Sequence, residues 1–252
     1  MSALPLTGKV ALITGSSRSI GAAVAERLAA DGANVVINYV NNASAAQEVA
    51  DRINSKGAGQ AKIIQADVSS VEAGKELVKN TLEAFQKIDI LVPNAGVLEN
   101  KTLEQITEEH FDTHFNVNVK GVLFLVQAAA PHMTAGGRVI LFSTGVTSMS
   151  LVTPNYLVYA ASKGAVEQMT RVLAKDLGQR QITVNTVSPG PTDTPLFRNG
   201  KTEDQIKFFA NLSPQNRLGQ CEDIASAVAF LSRADSQWVN GQNIRINGGM
   251  VV

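Results

Sequence analysis

Excess charge of either sign is missing from this 252-residue chain, in which 22 Lys and Arg stand against 22 Asp and Glu. A protein whose main partner was a phosphate backbone would carry a basic surplus, so no nucleic-acid partner is expected. Cysteine is nearly absent: Cys221 stands alone, no internal disulfide can form, and a reducing compartment suits the chain. Three histidines leave little material for a metal centre, and none is expected. Long apolar runs are lacking too, since Val122–Val126, the longest, falls far short of the ~20 residues of a membrane helix. Met1 to Gly8 shows neither the basic start nor the apolar stretch of a secretory leader. A cytoplasmic protein with no membrane partner is expected. Aromatic residues make up only 5%, yet 44% of the chain is hydrophobic, which excludes disorder and suffices for a core without staples.

What is present is an alternation of short β-branched runs with longer helical segments. Strands are predicted at Lys9–Gly15, Asn34–Tyr39, Ala61–Asp67, Asp89–Gly96, Gly137–Thr144, Ile182–Val187 and Asn243–Ile246. Helices are predicted at Ile20–Asp31, Ala43–Lys56, Val71–Phe85, roughly Thr107–Met133, Asn155–Leu177 and Glu222–Leu231. Runs such as VALI, VVI and VILF do not alternate with polar residues, the mark of strands covered on both faces of a parallel sheet. Strand–helix units of about thirty residues give right-handed βαβ crossovers. The expected fold is α/β: a Rossmann-type, doubly wound parallel sheet of about seven strands in three α/β/α layers. One domain, residues 1–252, is expected, because no composition break or low-complexity tract interrupts it. Ligands of such sheets bind beyond the carboxyl ends of the strands, so the strand-to-helix turns are where function should be sought.

The first turn reads Thr14-Gly15-Ser16-Ser17-Arg18-Ser19-Ile20-Gly21 and opens a helix. Glycine lets the backbone approach a ligand closely, and a helix N-terminus offers free N–H groups to a pyrophosphate. The segment resembles the TGxxxGxG motif of the short-chain dehydrogenases/reductases, with Gly15 and Gly21 matching and Ser19 in place of the middle glycine. An acidic residue closing strand two would bind the ribose 2′-OH and select NAD. Here the strand ends Asn38-Tyr39-Val40-Asn41-Asn42, and Arg18 is available to pair with a 2′-phosphate. NADP(H) is therefore the preferred cofactor, with NAD(H) possible, and Asn38 and Tyr39 are candidate contacts. By resemblance, Asp67 with Val68 would meet the adenine, and Asn94-Ala95-Gly96, which matches the family's NAG motif, the adenosine ribose.

Tyr159-Ala160-Ala161-Ser162-Lys163 lies on a predicted helix, where residues four apart share a face. With three tyrosines and twelve lysines such a spacing arises by chance in roughly one chain in seven. Its place in the fifth βα unit gives it weight, and it matches the family's YxxxK. An ammonium beside a phenol, together with the positive nicotinamide ring of the oxidised cofactor, favours phenolate and would draw Tyr159 toward neutrality, a useful range for proton transfer. A hydroxyl at the end of strand five would steady the substrate oxygen. Counting from the strand start, Thr144 takes the place of the family's serine and Ser143 is the alternative, while Val146 occupies the usual spacing from the tyrosine. Asn118 sits mid-helix, a poor place for asparagine, and resembles the family's fourth catalytic residue, which orders a relay water. Pro189-Gly190 resembles the family's PG motif, in which Thr192 and Thr194 would hold the nicotinamide.

Residues of about 192–213, with Leu196, Phe197, Phe208 and Phe209, read as a substrate lid, and Val146, Met149, Leu151 and Val152 as the opposite wall. The resemblance implies NADPH-dependent, reversible reduction of a ketone, carbonyl or 3-oxoacyl substrate to a secondary alcohol, as in 3-oxoacyl-[acyl-carrier-protein] reductase-like carbonyl reductases. Its rivals are an NAD-dependent alcohol dehydrogenase and a non-catalytic NADP(H)-sensing protein. A small-molecule carbonyl or alcohol is the expected partner, together with further copies of the chain in a homo-oligomer, tetramer or dimer. His110 and His114 read as a partly exposed pair, Trp238 as packing or a subunit contact, and Cys221 as incidental.

Overall fold

A computed structural model describes residues 3–252. Seven parallel strands form one sheet in the order β3-β2-β1-β4-β5-β6-β7. They are β1 (Val10–Ile13), β2 (Asn34–Tyr39), β3 (Ala61–Gln65), β4 (Ile90–Val92), β5 (Arg138–Phe142), β6 (Thr183–Pro189) and β7 (Asn243–Ile246). The order runs outward from β1 on one side and from β4 on the other. The connections leaving the neighbouring tips of β1 and β4 therefore diverge and leave a crevice.

Both faces of the sheet are buried, as the unbroken apolar runs require. Ala11, Ile13, Val35, Ile37, Ile90, Val92, Ile140 and Phe142 pack into one core, with α1 (Ser19–Ala30), α2 (Ala43–Lys56) and α9 (Cys221–Ser232). Their neighbours Leu12, Val36, Leu91, Val139 and Leu141 point the other way, toward α3 (Val71–Phe85), α5 (Val122–Ala129) and α6 (Leu157–Gly178). This is the two-residue period of a strand written into two cores. Truncating a fully buried member such as Leu12 or Leu91 to alanine would cost about 2–5 kcal/mol.

Side chains cap several of the helices. Asn42 accepts from the Ala45 N–H at 2.9 Å to start α2, and Ser70 accepts from the Ala73 N–H at 3.3 Å to start α3. Helix α1 differs: Arg18 at its N-cap makes no side-chain cap bond.

The single long helix expected over Thr107–Met133 is broken into three. Helix α4 (Glu108–Phe115) passes into a π-helical turn, Asn116–Gly121, before α5 begins, and a short 3₁₀ turn, Ala130–His132, closes the run. No proline marks the first break, and Gly121 closes it. Instead Asn118 is pulled sideways into bonds with the β4 exit loop and α6, and the wider turn accommodates that reach. Between β6 and α9 the chain adds two small helices, α7 (Pro195–Arg198) and α8 (Glu203–Asn211). The ends of that segment are tied to each other: Gly219 N–H donates to Pro191 O at 2.9 Å and Asp193 N–H to Gly219 O at 2.8 Å. Among the described residues no helix is long and apolar enough to cross a membrane.

Candidate active site

A cleft of about 1150 Å³ lies over the carboxyl tips of the strands, and the sequence-predicted residues gather along it from one end to the other. At one end is the first turn. Ser16 Oγ donates to Ile13 O at 2.7 Å, and Asn94 Nδ2 donates to Thr14 O at 2.9 Å and Gly15 O at 3.2 Å. Ala95 N–H donates to Thr14 Oγ1 at 3.0 Å, so the tips of β1 and β4 are stitched together. Gly15 has φ +62°, and a Cβ there would stand 3.0 Å from Ala95 Cα. At Gly21 a Cβ would stand 2.5 Å from Gly15 O and 2.6 Å from Asn94 Nδ2, so no other residue fits without displacing backbone. Ser19, in place of the family's middle glycine, is held at φ +51°, so the chain keeps the left-handed turn but loses the residue that adopts it freely.

The donors of this turn fit a dinucleotide phosphate. Ser17, Arg18, Ser19, Ile20 and Gly21 border the cleft, and no side chain of the N-cap claims the first N–H groups of α1. Tyr39, Val40, Asn41 and Asn42 line the side reached by β2, with no carboxylate among them. Asp67, Val68, Asn94, Ala95 and Gly96 continue the lining. Asn38 does not. It is 1% exposed and points inward: Oδ1 accepts from Gly15 N–H at 3.1 Å, and Nδ2 donates to Ala66 O at 3.0 Å and Ile64 O at 3.3 Å. The expected cofactor contact is instead a bolt that joins the first turn to the end of β3.

At the middle of the cleft, α6 presents Tyr159 and Lys163 one turn apart, as the spacing requires. Lys163 Nζ donates to Phe142 O at 3.0 Å, which anchors the amine against the tip of β5. Burial pushes that amine down to about 8. The same desolvation pushes the Tyr159 phenol up to about 12, opposed by the Thr144 hydroxyl and reinforced by Tyr156 nearby. The expected pull toward neutrality joins the ammonium to the positive ring of the oxidised cofactor; with the protein's own groups alone, the cost of burying phenolate wins.

The two candidate hydroxyls part company. Ser143 Oγ turns away from Tyr159 and donates to Glu167 Oε1 at 2.7 Å. Thr144 is the hydroxyl acting on the phenol, and its Oγ1 also accepts from Val146 N–H at 3.3 Å. Asn118 has its side chain fully buried: Nδ2 donates to Val97 O at 3.0 Å and Ser162 Oγ at 3.1 Å, while Oδ1 accepts from Val97 N–H at 2.9 Å. Both amide hydrogens are spent on structure, so a relay water would have to donate to one of its oxygens.

Pro189, Gly190, Thr192 and Thr194 border the next stretch. Thr192 Oγ1 donates to Gly190 O at 2.9 Å, and Thr194 Oγ1 accepts from Phe197 N–H at 3.1 Å to start α7. Beyond them the walls turn apolar. Leu196, Phe197, Phe208, Phe209 and Leu212 face Val146, Met149, Leu151 and Val152. Phe197 and Phe209 meet edge to face, with centroids 5.4 Å apart. Arg18 and Lys163 are the only cationic side chains lining the whole cleft.

Sequence reasoning missed several lining residues, among them Tyr156, Thr113, Asn116 and Met250. Tyr156 stands three positions before Tyr159, a helical spacing that could have flagged it, and their rings lie 6.3 Å apart. Asn116 and Thr113 reach the cleft from the π-helical turn and α4, and Met250 from the C-terminal segment, where no local pattern points inward. His110 and His114 are not partly exposed but 4% and 1% exposed, with rings 4.4 Å apart. His114 Nε2 accepts from Glu99 N–H at 3.1 Å, so the pair clamps the loop leaving β4. Trp238 is 98% exposed and packs against nothing in this chain. Burial and nearby carboxylates push the Cys221 thiol up, away from reactivity.

The family model described as Enoyl-(Acyl carrier protein) reductase matches residues 15–251. A probable tetrahydroxynaphthalene reductase of Zymoseptoria tritici is 41% identical over 254 residues, covering 96% of this chain and 94% of that protein. Among solved structures, a short chain dehydrogenase from Burkholderia cenocepacia in complex with NADP superposes with TM-score 0.92 at 39% identity, covering 98% of this chain and 99% of the other. An angucycline C-6 ketoreductase with bound NADP gives TM-score 0.91 at 38% identity, covering 98% and 96%.

Proposed function

This chain is a member of the short-chain dehydrogenase/reductase family, and on that premise we propose that it reduces an uncharged, ring-bearing ketone to a secondary alcohol with NADPH, reversibly. The observation that carries the reading is the convergence of Tyr159 and Thr144 on the middle of the cleft. It lies between a turn suited to phosphates and a wall of aliphatic and aromatic side chains.

NADPH, when bound, supplies a hydride to the carbonyl carbon. Arg18 and the first N–H groups of α1 would hold its phosphates, and the carboxylate-free end of β2 admits a 2′-phosphate. Relatives seen with NADP or NADPH support that preference. Pro189, Gly190, Thr192 and Thr194 border the stretch beside Tyr159 and would seat the ring end.

Thr144 donates to the substrate oxygen and Tyr159 gives it a proton. A phenol held at about 12 is fully protonated near neutrality, the state a proton donor needs. Two neighbouring hydroxyls on the cleft wall suit an oxygen, which favours a C=O over the enoyl C=C implied by the description of the family model. Lys163, buried and on the same helix face, supplies positive charge below about pH 8. The ring-bearing substrate is inferred from the Phe197, Phe208, Phe209 and Tyr156 walls and from relatives named as hydroxynaphthalene and angucycline reductases. A 3-oxoacyl group on an anionic carrier is the second reading, favoured by Lys201, whose Nζ stands 4.8 Å from the Phe197 ring centroid and 6.0 Å from that of Phe209. A homo-oligomer is proposed as well: Leu157 and Val172 are exposed apolar positions on α6, and light scattering would give the copy number.

The test is a panel of cyclic, aryl and acyl-thioester ketones with NADPH and NADH side by side. Cyclic and aryl ketones should turn over with NADPH. Tyr159→Phe should lower turnover by ~10³-fold while the NADPH Kd stays within about threefold. Unchanged turnover in Tyr159→Phe removes the phenol from the reaction and the reading with it.

A further inference from the structure

Glu167 lies on α6 at the third step of a four-residue series, Tyr159, Lys163, Glu167. It faces the loop leaving β5, and a single oxygen, Oε1, receives two hydroxyls from that loop: Ser143 Oγ at 2.7 Å and Thr147 Oγ1 at 2.6 Å. Those residues bracket Thr144, one before it and three after. Thr147 Oγ1 also lies 2.8 Å from Thr144 O, and Ser143 Oγ lies 3.3 Å from Lys163 O. Among the described residues no Lys, Arg or His pairs with Glu167 at salt-bridge distance, so the hydroxyls are its partners. An ionised carboxylate only accepts. Both hydroxyls must therefore turn their protons toward it, in charge-assisted bonds stronger than neutral ones.

We propose that Glu167 is a positioning residue for the Thr144 hydroxyl, gripping the loop through Ser143 and Thr147 so that Thr144, and not Ser143, faces Tyr159. One rigid helix then sets every polar group at the centre of the cleft: the phenol and the amine directly, and the hydroxyl through this grip. The role rests on the ketone-reduction reading, but the loop's dependence on Glu167 does not.

The experiment measures kcat, KM for the ketone and NADPH Kd for the wild type, Glu167→Gln, Glu167→Ala, Thr144→Ala and the double variant Thr144→Ala/Glu167→Ala. Hydrogen exchange is followed over Ser143–Met149 in the NADPH-free proteins. Glu167→Ala should lose about tenfold in kcat with NADPH Kd within about twofold, and its loop should exchange at least about tenfold faster. Glu167→Gln keeps an acceptor oxygen of the same reach and should recover most of both. The double variant should be no slower than Thr144→Ala alone, because residues acting through one group are not additive. Losses that multiply, a glutamine variant as slow as the alanine one, or loop exchange unchanged in Glu167→Ala would each overturn the assignment. If Tyr159→Phe stays active while the loop loosens as expected, the ketone-reduction reading fails and the grip of Glu167 on the loop survives.

Discussion

The two ends of the cleft are built on different principles. At the nucleotide end, the turn after β1 is fixed by backbone: Gly15, Gly21, Asn38 and Asn94 lock four chain segments through hydrogen bonds of 2.9–3.2 Å and contacts that admit no Cβ. At the substrate end, α7 and α8 offer side chains, not backbone, and leave Leu196 and Phe208 half exposed. A ligand shared by a whole family can be met by backbone that accepts few substitutions. A ligand that differs from member to member is better met by side chains, which can be exchanged one at a time.

The largest expected effect falls between the two ends. Lys163→Met should cut turnover by ~10³-fold while making the ligand-free protein more stable near pH 7. Burial moves the amine from 10.5 unfolded to about 8 folded, a penalty of about 3 kcal/mol while it is charged. Losing its bond to Phe142 O gives back about 1 kcal/mol, leaving a net gain of about 1–2 kcal/mol. The sign with pH follows. Between about 8 and 10.5 the unfolded lysine holds a proton that the folded one has released, so wild-type stability rises with pH there. The phenol acts oppositely between 10 and about 12, where the folded state keeps its proton and stability falls. Thermal melts from pH 7 to 10 check the first slope, which the methionine variant should lose, and their extension to pH 11 checks the second.

Gly21→Ala probes the backbone end. Its Cβ must displace Gly15 O, so NADPH affinity should drop by ~30–100-fold, about 2–3 kcal/mol, as read by fluorescence titration. Phe209→Ala probes the other end and should raise KM for a ring-bearing ketone about tenfold while NADPH Kd holds within about twofold. If both constants moved together in either variant, the two ends would not be independent. Smallest is Ser19→Gly. Relief of the left-handed serine, partly offset by the freedom glycine brings to the unfolded chain, should net about 0.5 kcal/mol, or a Tm higher by about 1–2 °C.

This contrast also sets what the sequence made legible. The strands stood out because runs such as Val10–Ile13 and Val139–Phe142 are buried on both faces and need no polar alternation. Tyr159 and Lys163 stood out because helical periodicity fixes which residues share a face. The directions of Asn38, Ser143 and Asn118 were illegible for a common reason. A short polar side chain near a strand tip can turn into the cleft or into the protein, and the choice is made by partners 20 to 44 residues away. The π-helical turn was hidden because it follows the tertiary bonds of Asn118, and its one glycine, Gly121, sits at its end with no proline beside it. Helices α7 and α8 are too short to show a period, so the region was readable as a lid but not as structure.

The tie between Pro191, Asp193 and Gly219 has an evolutionary consequence. Because the departing and returning strands of chain are fastened to each other at the sheet's rim, everything between them behaves as an exchangeable cassette. Splicing the corresponding stretch from a relative into this frame, with both junctions at the tie, would transplant substrate preference while the sheet beneath folds as before.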